Sequence, residues 1–403
     1  MNGKTLRKTT RGTKKSKLLH DQDVRRWYDN MARGSLLTAE GRLRKLGRFC
    51  EMHHMTPAQI AVLAIKDMRA ATDLLEDHIT EMESKGYSPG YIEDHINSVK
   101  SWFGHFDVTA KRRLKITSTG FSPTLQNERI PNAHEMSNIY SKAGLRESVI
   151  ISLMAKSGLR PGVLGNHKGL DGLQIRDLPD ITMHREKFKH DKTSNRIIVR
   201  RELSKANHSY FTFSTRSATE QIVAYLNDRL AHGEKLCENS PVISPNEHRD
   251  TNNRRRSKKV FLPTQRISDL VRQTFRPEFE RRPYVLRAYF DTQLLIAESH
   301  GKIAHDFRVF FMGHKGTMES RYTTNKGILP VILVNEMSDA FARSEEYLDQ
   351  TIMPSLDEKT PKNQTTTQAT PEQLNQRLLM VEQILKTGLK LGQPTTSEDM
   401  NNQ

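Results

Sequence analysis

Apolar residues recur at helical spacing throughout residues 20–107, with charged residues filling the positions between them. Two of these apolar faces consist of Val24, Trp27, Tyr28 and Met31, and of Leu43, Leu46 and Cys50. Thr56-Pro57 and Ser88-Pro89 have the composition of helix starts, in which an N-cap residue precedes a proline at the first helical position. The pattern predicts four or five short helices packed into a bundle.

The period changes several times after this region. Residues 108–131 gain Thr, Ser, Gly and Pro, as is typical of a linker, and helical spacing resumes near Asn132. Residues 196–203 and 209–213 alternate on either side of a turn at 204–208, which predicts a β-hairpin with Lys205 at its tip. Residues 238–262 form a polar insertion, and helices return from Pro263 onward.

These patterns predict a mainly α-helical protein with one small β-hairpin. We expect a basic flexible arm (1–19), a helical domain (20–107), a linker (108–131), a second domain (132–352) and a C-terminal tail (353–403). An amphipathic helix after Pro330 carries Val334, Met337, Phe341 and Leu348, and docks either on its own domain or on a neighbouring protomer. Leu374, Leu378, Val381 and Leu385 keep heptad spacing in the tail, as either a weak oligomerisation helix or a partly disordered segment.

The charge narrows the range of partners. A formal net charge of +16 on 403 residues attracts a polyanion, and nucleic acid is the leading one. Residues 1–17 of the arm contain seven Lys or Arg and no acidic residue. The arm therefore either becomes ordered when it binds DNA or is a solvated tail. Each of the following residues either contacts DNA or simply faces solvent. They are Arg42, Arg44, Lys45, Arg48, Lys111, Arg112, Arg113, Arg254, Arg255 and Arg256.

Several classes of protein are disfavoured. The sequence has no apolar run of about 18 residues, and no apolar stretch follows the basic start, so we expect neither a membrane protein nor a secreted one. Cys50 and Cys237 are far apart, and His300 and His305 lack the H-E-x-x-H spacing, which argues against a disulfide framework and against a zinc site. A cytoplasmic, nucleoid-associated protein is the expectation.

The candidate chemistry lies in residues that are distant along the chain. Arg160 follows an apolar helix and a glycine in S-G-L-R-P-G, where an unpaired guanidinium is costly unless an anion meets it. Arg287 lies in a second apolar helical setting, and M-G-H at His314 is followed by Tyr322. Two arginines, a lysine, a histidine and a tyrosine have the chemistry to transfer a phosphodiester.

Arg160 in S-G-L-R-P-G, Lys205 on a hairpin, Tyr284-x-x-Arg287, M-G-H at His314 and Tyr322 together resemble the dispersed active site of the tyrosine recombinases, the phage-type integrases. Their order and spacing match over residues 132–350, and the helical region 20–107 resembles the core-binding domain of that family. The segments G-L-R-P-G-V-L and M-G-H-K-G-T-M-E-S-R-Y further resemble those of integrases of archaea and their mobile elements.

The resemblance implies a specific mechanism that uses no metal, cofactor or ATP. Tyr322 attacks the scissile phosphate and forms a 3′-phosphotyrosyl link, while Arg160 and Arg287 hold the nonbridging oxygens. Lys205 protonates the leaving 5′-oxygen, and His314 hydrogen-bonds the phosphate or assists proton transfer. The partners it implies are double-stranded DNA with a specific recombination site and about four protomers in the synaptic complex.

Two positions depart from the family pattern. Tyr284 stands where many members have histidine, and a phenol mainly donates a hydrogen bond, so Tyr284 binds phosphate rather than acting as a base. Val163 stands where an acidic residue is common, which leaves the orientation of Arg160 and His314 without an identified partner. Tyr289 and Tyr347 are the rival nucleophiles, and both lie in patterns that favour packing. Lys187, Lys189 and Lys192 compete with Lys205.

The sequence is also compatible with other functions. Within the same chemistry, a resolvase of chromosome dimers is the alternative to an enzyme that integrates or excises a mobile element. A catalytically silent DNA-binding protein would keep the DNA-binding helical domain (20–107) and lose cleavage, and a type IB topoisomerase would relax supercoils as a monomer.

Overall fold

The computed structural model describes residues 16–117, 128–245, 259–314 and 329–349, all of which belong to one compact unit, Met1–Thr351. Its first part is helical, as predicted. The helices are α1 (Gln22–Gly34), α2 (Leu36–Met52), α3 (Pro57–Lys66), α4 (Met68–Ser84) and α5 (Pro89–Gly104). Thr56 and Gln59 form a reciprocal capping box at the start of α3, which satisfies backbone N–H groups that have no partner inside the helix.

A cluster of apolar side chains holds these five helices together. Trp27 of α1 and Trp102 of α5 meet edge to face, with ring centroids 5.4 Å apart. Each indole also donates a hydrogen bond, Trp27 to the carbonyl of Ser101 and Trp102 to that of Pro57. The helical region begins earlier than residue 20, because residues 16–20 are helical and the apolar pair Leu18 and Leu19 packs on this cluster.

The second part is also mainly helical. Its helices are α6 (Ala133–Lys142), α7 (Leu145–Ala155), α8 (Pro161–Leu164), α9 (Arg216–Ala231), α10 (Thr264–Phe275), α11 (Val285–Ser299), α12 (His305–Phe311), α13 (Val331–Arg343) and α14 (Glu345–Leu348). Every residue of α7 from position 149 to 155 is buried, and α9, α10 and α11 pack around it. A helix that is apolar on all sides can be stable in water only as the centre of such a core.

Two antiparallel hairpins complete the fold. They consist of β1 (Ile181–His184) with β2 (Lys187–His190), and β3 (Asn195–Val199) with β4 (Tyr210–Ser214). The predicted β3–β4 hairpin is present, although its first strand ends at Val199 because residues 201–203 form a turn of 3₁₀ helix. The hairpin β1–β2 was not predicted. The structure therefore confirms a mainly α-helical fold with small antiparallel sheets.

The polar insertion at 238–262 differs from the prediction at both of its ends. Val242 and Ile243 on one side, and Phe261 and Leu262 on the other, are buried in the core. Residues 246–258, with Arg254, Arg255 and Arg256, lie outside the described residues. The ends of this insertion are packed because each carries two adjacent apolar side chains that lose water contact on folding.

The amphipathic helix after Pro330 is α13, and it packs on its own domain. Phe341 lies against the rings of Phe213 and Phe311, both at 5.6 Å between centroids. Beyond it, the carboxylate of Asp349 forms an ion pair with the ammonium of the buried Lys156, with Oδ1 and Nζ 2.6 Å apart. The last described residues are therefore tied to the core around α7 by apolar packing and by an ion pair.

Candidate functional site

Arg160 leaves the core at a turn that depends on glycine. Gly158, between α7 and α8, has a φ of +66°, and a Cβ there would collide with the ring of Phe290 on α11. Two residues later, Arg160 is the N-cap of α8. The close approach of α11 to this turn brings the side chain of Arg160 beside Arg287, and only glycine combines that backbone angle with that approach.

Arg287 lies in the first turn of α11 and is fully buried. Its Nη1 donates to the carbonyl of Gly158 and its Nη2 to the carbonyl of Met312, so the guanidinium joins the turn before Arg160 to the segment before His314. Its Nε is buried and has no hydrogen-bond partner among the described residues. Two backbone carbonyls orient this cation without neutralising it.

The two guanidinium groups face each other without an acidic partner. Burial, reinforced by the charge of Arg160, lowers the pKa of Arg287. Nη1 of Arg160 is also buried and has no hydrogen-bond partner among the described residues. Within residues 16–117, 128–245, 259–314 and 329–349, no carboxylate forms an ion pair with either arginine. A buried and a partly buried cation side by side, with free N–H donors, form a site for an anion.

His314 lies at the edge of this arginine pair. It follows Gly313, whose φ is +57°, directly after α12. Loss of solvent, followed by the charges of Arg287 and Arg160, lowers the pKa of His314. The imidazole is therefore neutral at pH 7, with one nitrogen able to donate a hydrogen bond and one able to accept. Binding of an anion would oppose the effect of the arginines.

Tyr284 and Lys205 are exposed, as His314 is. Tyr284 lies one turn before Arg287, and its side chain is 46% exposed at the mouth of the site. Lys205 is exposed in the ten-residue connection between Val199 and Tyr210. Tyr322 lies outside the described residues, eight positions after His314. The structure thus brings Arg160, Arg287 and His314 together, with Tyr284 beside them.

The rival tyrosines are used for packing, as predicted. Tyr289 is only 2% exposed within the core, and Tyr347 packs against the cluster around α13 with its hydroxyl 2.9 Å from Nδ1 of His300. The lysines Lys187 and Lys189 belong to β2 of the other hairpin, and Lys192 pairs with Asp180 at 2.7 Å. None of these three lysines is on the connection that carries Lys205.

One site residue was missed. Tyr210, the first residue of β4, is 4% exposed, and burial raises the pKa of its hydroxyl while the charges of Arg287 and Arg160 oppose that rise. A sequence signal existed, because the inward positions of β4 carry the hydroxyl residues Tyr210, Thr212 and Ser214 instead of aliphatic ones. Thr212 and Ser214 donate to backbone carbonyls, whereas the hydroxyl of Tyr210 has the N–H groups of Arg287 and Arg160 nearby but no acceptor for its hydrogen among the described residues.

The predicted basic surface on α2 is partly engaged within the bundle. Nη1 of Arg42 donates to Ser101 at 2.9 Å, Lys45 pairs with Asp94 at 2.9 Å, and Arg48 contacts the ring and hydroxyl of Tyr87. Arg112 pairs with Asp73 and Glu76 of α4. The side chains of Arg44, Lys111 and Arg113 are exposed, and contact of any of these residues with DNA stays a prediction.

Among the residues that the structure describes, no group of three or more His, Cys, Asp or Glu side chains is arranged to hold a metal ion. No helix in the same ranges combines the length and the apolar character that crossing a bilayer requires.

Comparisons with known proteins give matches in structure alone. No family model and no curated protein matches the chain. The crystal structure of XerA recombinase is similar at 18% identity and a TM-score of 0.33, over 79% of this chain and 96% of that one. XerH site-specific recombinase bound to palindromic difH substrate in a post-cleavage complex is similar at 15% identity and a TM-score of 0.44, over 75% and 79% of the two chains. XerH bound to difH substrate in a pre-cleavage complex has 14% identity and a TM-score of 0.37, over 66% and 67%.

Proposed function

We propose that this chain is a tyrosine recombinase that breaks and rejoins DNA at a specific site through a covalent link to Tyr322. The observation that carries the proposal is the pairing of the buried guanidinium of Arg287 with the partly buried guanidinium of Arg160. They have unpartnered N–H donors and no carboxylate among the described residues. A structural arginine pair would be neutralised by acids, whereas a pair built for a phosphodiester is left open for the anion.

The residues divide the chemistry between them. The phenolic oxygen of Tyr322, which gives up its proton to water, forms a bond to the scissile phosphorus as the bond from phosphorus to the 5′-oxygen breaks. Arg160 and Arg287 donate hydrogen bonds to the nonbridging oxygens, on which charge increases in the transition state. The leaving 5′-oxygen takes its proton from Lys205, and His314 donates a hydrogen bond to the phosphate from its neutral ring.

The geometry of the chain is compatible with these roles. Lys205 is five residues from Tyr210, which corresponds to at most about 18 Å of extended chain. Tyr322 is eight residues from His314, which corresponds to at most about 28 Å of extended chain. Tyr284, at the mouth of the site, donates its hydroxyl hydrogen to the same phosphate.

The finer biological role belongs to the same proposal. We assign the chain to the integration or excision of a mobile element, with an archaeal host and about four protomers at two DNA sites. A resolvase of chromosome dimers would use the same residues. The two differ in where the cleaved sequence lies, because an integrase cuts at the ends of an inserted element and a resolvase cuts once on the chromosome.

Covalent capture tests the proposed reaction. Nicked duplexes that cover the DNA flanking the gene are incubated in EDTA with the wild-type protein and with Tyr322→Phe, then separated on a denaturing protein gel. We expect a shifted band from the wild type alone. Tight binding by both proteins without any band would favour a silent DNA-binding protein, and a band from both would exclude Tyr322 as the nucleophile.

A further inference from the structure

We propose that Tyr210 is a third ligand of the anion, whose hydroxyl donates a hydrogen bond to a nonbridging oxygen of the phosphate held by Arg160 and Arg287. The proposal rests on the proposed function in naming a phosphodiester as that anion. It assigns to β4 a contact with the substrate in addition to those that the sequence predicts.

The position of the hydroxyl is the first support. Tyr210 is buried beside both guanidinium groups, whose charges oppose the effect of burial on its pKa. A neutral phenol adds a donor without adding a third positive charge to a site that already holds two. Because a guanidinium can only donate, the nearby N–H groups of Arg287 and Arg160 engage at most the phenolic oxygen, and the hydroxyl hydrogen, which has no acceptor among the described residues, is available to an oxygen between the arginines.

The lack of an acceptor for the hydroxyl hydrogen is the second support. A buried polar group without a partner costs roughly 1–3 kcal/mol of stability. If Tyr210 served only to pack, phenylalanine could therefore replace it without loss of stability. Tyr225 is a contrast in the same part of the chain, because its equally buried hydroxyl accepts the backbone N–H of Ser244 at 3.1 Å. The Tyr210 hydroxyl therefore gains its partner when an anion binds.

The ring of Tyr210 supplies the third support. It occupies the space that a Cβ at residue 313 would fill, and Gly313 has a φ of +57°. The ring thus fixes the backbone between Met312, whose carbonyl accepts from Arg287, and His314. Tyr210 also pairs with Val199 at the base of the connection that carries Lys205. Tyr210 consequently links the segment before His314 to the hairpin whose connection carries Lys205.

Replacement of Tyr210 by phenylalanine removes the hydroxyl and keeps the ring, and Tyr225→Phe is the matched control. In the full-length protein, we expect Tyr210→Phe to weaken the binding of inorganic phosphate about tenfold, measured by thermal shift in phosphate-free buffer. Tyr225→Phe should bind phosphate as the wild type does. In the absence of phosphate, Tyr210→Phe should melt at the same temperature as the wild type or higher. A lower melting temperature with unchanged phosphate affinity would show a structural hydroxyl and overturn the proposal.

Single-turnover adduct formation on the nicked duplex is the second readout. We expect Tyr210→Phe to slow it about 100-fold, as loss of one transition-state donor does elsewhere, with DNA affinity lowered by no more than about tenfold. Substrates in which a methyl group replaces one or the other nonbridging oxygen locate the contact. The penalty of Tyr210→Phe should disappear for one of the two diastereomers. An equal penalty on all substrates, or none, would contradict the assignment.

The two proposals fail in different ways. If the wild type forms no adduct, the proposed reaction is wrong, and the phosphate titration still decides whether Tyr210 binds the anion. If the wild type forms an adduct and Tyr210→Phe matches it in both rate and phosphate affinity, the proposed reaction stands and the assignment of Tyr210 is wrong.

Discussion

The guanidinium of Arg287 donates a hydrogen bond to the carbonyl of Gly158, and this bond joins α11 to the turn that carries Arg160. The same guanidinium reaches the carbonyl of Met312, two residues before His314. Three segments that are far apart in the sequence are thereby held around one buried cation. Because the carbonyls orient Arg287 without neutralising it, the positive charge is preserved for a ligand.

Substitution of Gly158 by alanine should be strongly destabilising. The positive φ alone costs about 1 kcal/mol for alanine, and the collision of its Cβ with Phe290 should add about 2 kcal/mol of overpacking. Gly233 is the control, since its φ is +81° and nothing lies within 4 Å of an added Cβ. Urea unfolding followed by circular dichroism should show the larger loss for Gly158→Ala. Equal losses would mean that the approach of α11 is not tight.

Substitution of Arg160 by methionine should separate stability from function. Removal of a partly buried cation beside Arg287 should raise the free energy of unfolding by about 1 kcal/mol and abolish stabilisation by inorganic phosphate. Arg200 provides the contrast, because it pairs with Asp171 at 2.9 Å and Asp177 at 3.1 Å. Arg200→Met should cost about 2 kcal/mol. A destabilising Arg160→Met would indicate an acidic partner for Arg160 outside the described residues.

Local patterns predicted much of the fold, because helical and alternating periodicity depend on neighbours along the chain. The bundle α1–α5, the hairpin β3–β4 and α13 all follow from such patterns. The hairpin β1–β2 was missed because Arg185 and Glu186 form its turn with φ of 47° and 63°, without the glycine or asparagine that usually indicates positive φ.

The site was only partly predictable. Arg160 and Arg287 were identified from their unusual apolar surroundings, which is a local signal. Tyr210 was not identified, because the sequence pattern around an inward tyrosine in a strand is the same in two cases. Such a tyrosine can pack in a core, or it can face two arginines that come from distant helices. The ion pair between Lys45 and Asp94 likewise joins two helices that no local pattern relates.

Three histidines should make the helical bundle sensitive to acid. His53, His78 and His95 form a chain, with ring nitrogens 2.9 Å and 3.4 Å apart. Burial, followed by the charges of His53 and His95, lowers the pKa of His78 to about 3, and burial with the charges of Arg48 and Lys45 lowers that of His95 to about 4. Burial lowers the pKa of His53 as well.

In the unfolded chain these histidines bind protons near pH 6.5, whereas in the folded bundle they bind them only at lower pH. Their contribution to stability is therefore complete above pH 6.5 and is lost as the pH falls below that value. Each should then cost up to about 1.4 kcal/mol per pH unit. Fluorescence of Trp27 and Trp102, the two tryptophans of the chain, reports on this bundle during urea unfolding. His78→Gln should reduce the slope between pH 6.5 and 5, and the exposed His184→Gln should not. Identical slopes in all three proteins would contradict the assignment.

The ion pair between Lys156 and Asp349 should hold the end of the described chain in place. Asp349→Asn leaves the buried ammonium of Lys156 without its counter-ion, which should cost about 2 kcal/mol and raise amide hydrogen exchange in α13 about 30-fold. Glu346→Gln removes a pair with Lys302 that is 3.5 Å long and exposed on both sides, so exchange should change less than about threefold. Equal exchange in the two variants would mean that apolar packing alone anchors α13.

The most direct test of the central claim is the identity of the residue that becomes linked to DNA. The adduct formed on a nicked duplex is digested with nuclease and protease, and the peptide that carries the residual nucleotide is sequenced by mass spectrometry. We predict a phosphotyrosyl bond at Tyr322, formed by the wild type and lost in Arg287→Gln. A nucleotide on another residue, or an adduct that forms equally well without Arg287, would contradict this account.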